Sequence, residues 1–205
     1  MDKNKWWLFA MATVLIFTKS VWLSGAPVGE VAIISVITTT VIIFISKPIN
    51  WKSELKPINK QTFFYIIAAN IALFILATIH GAFNPAPPNQ QGLIDTLNQI
   101  GMMRFTIPVV IIAPVIEELL YRRFLIRKSE LTGIRANITR LIVSSILFGL
   151  LHMSYGGSLS DFAFYTTSGL ILGCIYIRRL SITDSIATHM AYNVVGLLIT
   201  FSTMR

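Results

Sequence analysis

The sequence predicts an all-α protein, a bundle of about seven transmembrane helices with its N-terminus inside the cell. Composition, the length of the apolar stretches and the placement of the basic residues support this fold. Of the 205 residues, 54% are hydrophobic and 13% are charged, and the mean hydropathy is +0.69. Soluble domains carry about 25% charged residues. We therefore expect an integral membrane protein. Its one cysteine, Cys174, cannot form an intrachain disulfide.

Seven apolar stretches approach the length of about 20 residues that a helix needs to cross a bilayer. They are residues 6–24, 28–46, 62–82, 104–126, 139–156, 160–177 and 183–203. Each is expected to be helical, because an isolated strand would leave its backbone groups unpaired in lipid. The first stretch lacks a clear signal cleavage site, so we expect a retained helix. Pro108 and Pro114 are expected to kink or thin the fourth helix.

The basic residues predict how the bundle is oriented. If seven helices alternate, most of the 17 Lys and Arg residues fall on one side of the membrane. Such residues are enriched in cytoplasmic loops, so the N-terminus is expected inside and the C-terminus outside. We expect a multi-pass protein of a bacterial plasma membrane. The net charge of +8 is thereby explained by membrane topology, and no nucleic-acid partner is expected.

We expect one membrane domain with two sequence regions. Residues 1–102 would hold the first three helices and an outer loop, and residues 103–205 would hold the remaining four. The outer segment 81–103 begins with a Pro-rich loop, and its residues 93–100 are expected to form a short interfacial helix. We interpret this segment as a connector, with a lid or substrate contact as the alternative. His80, alone at the start of the segment, is expected to be structural.

Two adjacent carboxylates lie inside the fourth stretch. A charged side chain there costs about 2.5–3.5 kcal/mol on insertion, so a functional role is the first hypothesis. Glu117 lies ten residues before Arg127, which is about 15 Å along a helix and near the midplane. Glu118 and Arg122 have the i,i+4 spacing of a helical ion pair, which favours a structural role. Glu117 faces another direction and has no such local partner, so we expect it to be functional.

Two histidines lie at a similar depth in other stretches. His152 lies in the fifth stretch, with Phe148 one turn earlier on the same face. His189 lies in the seventh stretch, with Asn193 one turn later. A single buried His is as often structural as functional. Three helices that bring Glu117, His152, His189 and Asn193 to one depth nevertheless predict a common site.

These four side chains suit water-driven amide hydrolysis. A carboxylate and an imidazole can together deprotonate a water, and such help contributes about 10²–10⁴-fold to a rate. A second imidazole and an Asn amide can donate hydrogen bonds to the developing oxyanion. The alternative is zinc bound through Glu117, His152 and His189. We favour the site without a cofactor, because Asn is an uncommon zinc ligand and an HExxH spacing is absent.

Three segments resemble the motifs of one family. The EELLYR segment that starts at Glu117 resembles the EExxxR motif of the CPBP family, the CAAX-protease and bacteriocin-processing (Abi) intramembrane endopeptidases. The FGLLH segment that ends at His152 resembles its FxxxH motif. The HMAYN segment that starts at His189 resembles its HxxxN motif. Their order and separation match over residues 103–203. Arg123 departs from the pattern, since many members have Gly there, and it is expected to join a cytoplasmic basic rim.

The resemblance implies an intramembrane endopeptidase that acts on membrane-associated peptides or proteins. Carried over by position, Glu117 and His152 would activate water, and His189 and Asn193 would stabilise the oxyanion. Three further residues would support the site: Glu118, Arg122 and Phe148. The family has also been described as metalloproteases, so the zinc alternative stays open. Bacterial members are linked to bacteriocin immunity, peptide maturation or signalling.

Two other functions compete with the peptidase. A non-catalytic membrane immunity or scaffold protein that binds a peptide partner would keep its function after Glu117→Ala. A transporter or proton-relay protein is the second competitor, because intramembrane Glu and His residues also mark ion pathways. The sequence has no visible inverted repeat of the kind that many transporters show. We therefore favour the peptidase.

Overall fold

The computed structural model describes residues 54–126, 134–153 and 156–203, and within these ranges it contains helices and no strands. The all-α prediction is confirmed for this part of the chain. The stretches 6–24 and 28–46 lie outside the described residues, so seven spans and the orientation stay predictions. The helices are α1 (Lys60–Phe83), α2 (Pro88–Ile100), α3 (Met102–Thr106), π1 (Ile107–Ile112), α4 (Ala113–Glu118), π2 (Leu119–Ile126), α5 (Ile134–His152), α6 (Leu159–Arg179) and α7 (Ile182–Thr203).

Within the described ranges, two helices are long and apolar enough to cross a membrane. They are α1, with a mean hydropathy of 2.2, and Ile182–Ser202 of α7, with a value of 1.2. The side chain of Asn59 caps α1 by accepting a hydrogen bond from the Thr62 N–H at 2.9 Å. Several large apolar side chains of α1 are exposed: Phe63, Phe64, Ile67, Ile71, Ile75 and Ile79. An apolar surface of this kind is suited to lipid contact.

The segments α3, π1, α4 and π2 follow one another as a composite helix from residue 102 to residue 126. Pro108 is the second residue of π1, and Pro114 is the second residue of α4. Each proline removes one backbone N–H from the helix. The N–H of Ala113 bonds to the carbonyl of Pro108, five residues earlier, which is the π-helical pattern. The sequence predicted a kink or thinning here, and the structure shows a change of helical register.

Close packing of α5 on α6 depends on glycine. A Cβ atom added at Gly149 would lie 2.3 Å from Thr166 Oγ1 and 3.2 Å from the Thr166 backbone nitrogen. A Cβ atom added at Gly169 would lie 3.1 Å from the Cα of Ser145. Small residues at these crossings let the two backbones approach, as they do in membrane helix pairs. The face of α5 that carries His152 is thereby fixed relative to α6.

Two helix boundaries differ from the sequence prediction. α5 starts at Ile134 and ends at His152, whereas the apolar stretch predicted 139–156. Its first turns carry basic residues that a hydropathy boundary excludes, although the helix itself continues through them. After His152 the chain reaches Gly156, whose φ of 89° lies in the left-handed region that favours glycine. His152 therefore closes its helix and does not lie in the middle of it.

The helix α2 also starts earlier than predicted. It begins at Pro88, whereas the sequence predicted a helix over residues 93–100. Proline is favoured in the first turn of a helix, because the N–H that it lacks would have no intrahelical partner there. The Pro-rich segment is therefore partly a helix start and not wholly a loop.

His80 has an acidic partner near the C-terminal end of α1. Its Nε2 atom lies 2.9 Å from Asp161 Oδ1, and both side chains are buried. Asp161 also caps α6, because it accepts from the N–H of Ser158 while the Ser158 hydroxyl accepts from the N–H of Asp161. The pair connects the end of α1 to the start of α6, which is a structural arrangement.

Arg123 does not lie in a basic rim, and that expectation is wrong. The residue is 1% exposed, and its Nε atom lies 3.1 Å from Glu54 Oε2. The hydroxyl of Tyr176 donates to the same carboxylate oxygen at 3.2 Å. A buried guanidinium needs a counter-charge, and Glu54 supplies it from a distant part of the sequence. This ion pair holds the segment before α1 against π2.

The glycine contact generates a stability prediction. Gly149→Val should lower the free energy of unfolding by about 1–3 kcal/mol, because the added atoms overpack the crossing of α5 and α6. The matched control is Gly81→Val, since a Cβ atom at Gly81 meets nothing within 4 Å. Thermal unfolding of the purified protein in detergent measures both. Equal shifts for the two variants would contradict the close-packing argument.

Candidate active site

Glu118 is the centre of a buried hydrogen-bond network. Its exposed fraction is 0%. Its Oε2 atom accepts from Arg122 Nε at 2.9 Å and from the hydroxyl of Ser185. Its Oε1 atom accepts from His189 Nδ1 at 2.9 Å. Because both oxygens are bonded and shielded from solvent, this carboxylate is suited to orienting His189 and not to activating a water.

The guanidinium of Arg122 is compensated by more than one group. Its Nη1 atom donates to the Ser144 hydroxyl at 3.3 Å, and that hydroxyl donates to the Tyr121 carbonyl at 2.6 Å. Its Cζ atom lies 5.0 Å from the ring centroid of Phe148, a cation–π distance. Burial of a charge is tolerated only with such compensation. These contacts connect π2 to α5.

His189 lies between the two carboxylates. Since the carboxylate of Glu118 is negatively charged and only accepts, the Nδ1 atom of His189 carries the proton in that contact. The Nε2 atom then lies 3.9 Å from Glu117 Oε2. Nε2 bears a lone pair in the neutral ring and donates only when the ring is protonated. Glu118 would stabilise the charge of that protonated ring.

Glu117 has a different environment from its neighbour. It is 9% exposed, and it lines a cavity within the protein. Successive residues of a helix differ by about 100° in direction, which separates this carboxylate from the one at Glu118. The 3.9 Å to His189 is longer than a hydrogen bond. Of the two carboxylates, Glu117 is thus the one that a water in the cavity can approach.

His152 is fixed in one tautomer. Its Nδ1 atom lies 2.8 Å from the Phe148 carbonyl, which can only accept, so Nδ1 carries the proton. In the neutral ring the lone pair is therefore on Nε2. The ring packs between Phe148 and Tyr165, with centroid distances of 4.4 Å and 4.5 Å. This packing holds the imidazole in one orientation.

Asn193 is anchored on the composite helix. Its Nδ2 atom donates to the Val109 carbonyl in π1 at 2.9 Å. Because a carbonyl only accepts, this contact identifies which amide atom is the nitrogen. An amide nitrogen has a second N–H, which is suited to donate to a bound group.

One cavity of about 250 Å³ brings the predicted catalytic side chains together. Its walls include Glu117, His152, His189 and Asn193, and Phe148 lies beside them. The supporting residues Glu118 and Arg122 lie behind this wall, at 0% exposure. The structure thus places residues from α4, α5 and α7 around the same space.

The remaining cavity wall is largely apolar. We interpreted the segment that contains α2 as a connector from the sequence. In the structure, α2 contributes five lining residues: Asn89, Gln90, Leu93, Ile94 and Leu97. Asn89 also donates to the hydroxyl of Tyr165 at 3.4 Å. Apolar residues of other helices complete the space: Leu73, Phe105, Leu151, Leu172 and Leu197. Helix α2 is therefore part of the candidate site.

Sequence reasoning missed three residues of the site. Ser144 lies one turn before Phe148, and Ser185 lies one turn before His189. Their i,i+4 spacing from motif residues was a usable signal, because it places them on the same helix faces. Tyr165 had no such signal, since it reaches His152 from a different helix.

The part of the chain that the structure describes contains no group of three His, Cys, Asp or Glu side chains that could hold a metal ion. His189 Nδ1 is bonded to Glu118, and His152 Nδ1 is bonded to a backbone carbonyl. In each neutral ring the Nε2 atom is therefore the one that bears the lone pair.

The buried ion pair generates a second stability prediction. Arg122→Ala should lower the free energy of unfolding by about 3–5 kcal/mol, because it leaves the Glu118 carboxylate buried without its counter-charge. Arg178→Ala is the matched control, since the exposed Arg178 stacks on Tyr65 at 4.2 Å, a contact worth about 1 kcal/mol. Chemical denaturation in detergent gives both values. A loss for Arg122→Ala no larger than for the control would contradict the compensation argument.

Curated relatives of the chain come from two bacteria. An uncharacterized protein of Mycoplasma capricolum subsp. capricolum is 28% identical over 190 residues, which cover 83% of this chain and 55% of that protein. The UPF0177 protein YbdJ of Lactococcus lactis subsp. lactis is 25% identical over 137 residues, which cover 65% of this chain and 57% of that protein. The chain thus spans somewhat more than half the length of these relatives. No solved structure matches it.

A family model matches residues 99–195, and its description is type II CAAX prenyl endopeptidase Rce1-like. The matched residues include all three motifs and every side chain that the sequence analysis assigned to catalysis. Over residues 99–195, the chain is therefore similar to the Rce1-like family of type II CAAX prenyl endopeptidases.

Proposed function

We propose that this chain is an intramembrane endopeptidase that hydrolyses membrane-associated peptides or proteins with a water activated by Glu117 and His152. The observation that carries the proposal is that Glu117, His152, His189 and Asn193 line one cavity. The family match supports a CAAX-type protease in general. The assignment of a role to each side chain rests on their hydrogen-bond partners.

Glu117 and His152 are suited to remove a proton from water. Glu117 is the carboxylate that faces the cavity, and the Nε2 atom of His152 bears the lone pair in the neutral ring. The water oxygen would attack the scissile carbonyl carbon as its proton passes to one of these bases. General-base help of this kind is worth about 10²–10⁴-fold.

His189 and Asn193 are suited to stabilise the tetrahedral intermediate. A protonated His189 would donate from Nε2, and Asn193 would donate from its second N–H, to the oxygen that gains the negative charge. The intermediate then collapses as its C–N bond breaks. The proton held by Glu117 or His152 passes to the leaving amine, which completes the addition of one water to the amide.

The cavity also indicates the kind of substrate. Most of its wall is apolar, and α2 and α7 contribute leucine side chains to it. An apolar or membrane-inserted peptide segment would replace lipid contacts with these side chains at little cost in solvation. We therefore propose that the partners are membrane-associated peptides or proteins within a lipid bilayer, with no nucleic acid.

Glu117→Gln and His152→Ala should each reduce the cleavage rate by about 10²–10⁴-fold, because each removes a base from the water. The test offers membrane-anchored peptide libraries to the purified full chain in liposomes and detects products by mass spectrometry. The matched control is Asp95→Asn, since Asp95 is exposed on α2 and does not line the cavity. Binding of a peptide partner without cleavage would instead favour an immunity or scaffold protein. Cleavage that survives both site variants would refute the mechanism.

We also propose that the reaction needs no metal. Incubation with a chelator, followed by dialysis, should leave the cleavage rate unchanged within about twofold, because Glu117 and His152 supply the bases of the proposed mechanism. The control is a zinc protease treated in the same liposomes, which should lose its activity. Loss of cleavage on chelation, with recovery on added zinc, would establish the metalloprotease alternative.

A further inference from the structure

A backbone carbonyl beside the candidate active site lacks its usual helical donor. In π1 the N–H of Ala113 bonds to the carbonyl of Pro108, five residues earlier. In the same register, the donor for the carbonyl of Val109 would be the N–H of residue 114. That residue is Pro114, which has no N–H. The α-helical alternative, the N–H of Ala113, is already directed to Pro108.

The side chain of Asn193 supplies the donor that the Val109 carbonyl lacks. Its Nδ2 atom donates to the Val109 carbonyl at 2.9 Å. Val109 and Asn193 both line the cavity, and Pro114 is buried. A buried or half-buried carbonyl without a donor is unfavourable, so the contact with Asn193 is stabilising as well as directional. The proline thus creates the acceptor that fixes the amide.

We propose that Pro114 is a positioning residue, which keeps the Val109 carbonyl available so that this carbonyl orients the amide of Asn193 toward the cavity. Pro114 is not among the residues that line the cavity and acts through its neighbours. The proposal rests on the proposed function in one respect, that the oriented amide assists catalysis. The structural part, the dependence of the Val109–Asn193 bond on Pro114, is independent of any activity.

Pro114→Ala supplies the missing N–H and gives the Val109 carbonyl a backbone donor, so Asn193 should lose its anchor. We expect kcat to fall by about 10–100-fold with KM unchanged, because a displaced catalytic group slows the reaction without weakening binding. Asn193→Ala should lower kcat by about 10²–10³-fold. The double variant should be no slower than Asn193→Ala alone. Losses that multiply in the double variant would overturn the proposal.

A double-mutant cycle with the same variants, measured by thermal unfolding, tests the structural part without a substrate. Alanine has a higher helix propensity than proline, so Pro114→Ala should keep or raise the thermal midpoint in detergent even as activity falls. Asn193→Ala should lower the midpoint by about 2–4 °C more in the wild-type background than in the Pro114→Ala background. When Asn193 is replaced by Ala, the Val109 carbonyl loses its donor only in the background that retains Pro114.

The two measurements separate the two proposals. Equal midpoint shifts in both backgrounds would overturn the positioning role of Pro114, whatever the protein cleaves. Unequal shifts in a wild-type protein that cleaves no peptide would support the bond and reject only the proposed peptidase function. Unequal shifts together with the expected loss of kcat would support both.

Discussion

The candidate site depends on one carboxylate that is fully buried and accepts three hydrogen bonds. Glu118 has an exposed fraction of 0%, and an uncompensated charge there would cost several kcal/mol. Arg122 neutralises it, while Ser185 donates to Oε2 and His189 donates to Oε1. These bonds join α4 to π2 and α7, and Arg122 extends them to α5 through Ser144. The same network fixes the tautomer of His189 and leaves the neighbouring carboxylate for the cavity.

Helical repeat explains how three short motifs reach one space. On both α5 and α7, polar or aromatic residues recur at every fourth position and form one stripe. In each stripe a serine lies at the buried ion pair, and the residue two turns later lies at the cavity. Eight residues of an α-helix advance about 12 Å, which is the distance that each stripe covers. The stripes are Ser144, Phe148 and His152 on α5, and Ser185, His189 and Asn193 on α7.

Features that depend on local periodicity were predictable from the sequence, whereas contacts between distant segments were not. The bounds of α1, α6 and α7 lie within about two residues of the predicted stretches, because apolar runs and polar flanks define them. Convergence on the cavity was likewise predictable from spacing and depth. Arg123 was misplaced because its partner, Glu54, is remote in sequence. The prolines of the composite helix indicated a disrupted helix but did not indicate the π register. The polar start of α2 is typical of a loop, so the sequence did not indicate that this helix lines the cavity.

The wall supplied by α2 has a consequence for inhibitor design. The family match begins at residue 99, so α2 residues Leu93, Ile94 and Leu97 lie outside the matched region while lining the cavity. A compound directed only at the motif side chains would find the same donors and acceptors in any relative that carries those motifs. A compound that also fills the space beside α2 would contact Leu93, Ile94 and Leu97 as well. A ligand of this cavity can therefore gain contacts at α2 in addition to those at the motifs.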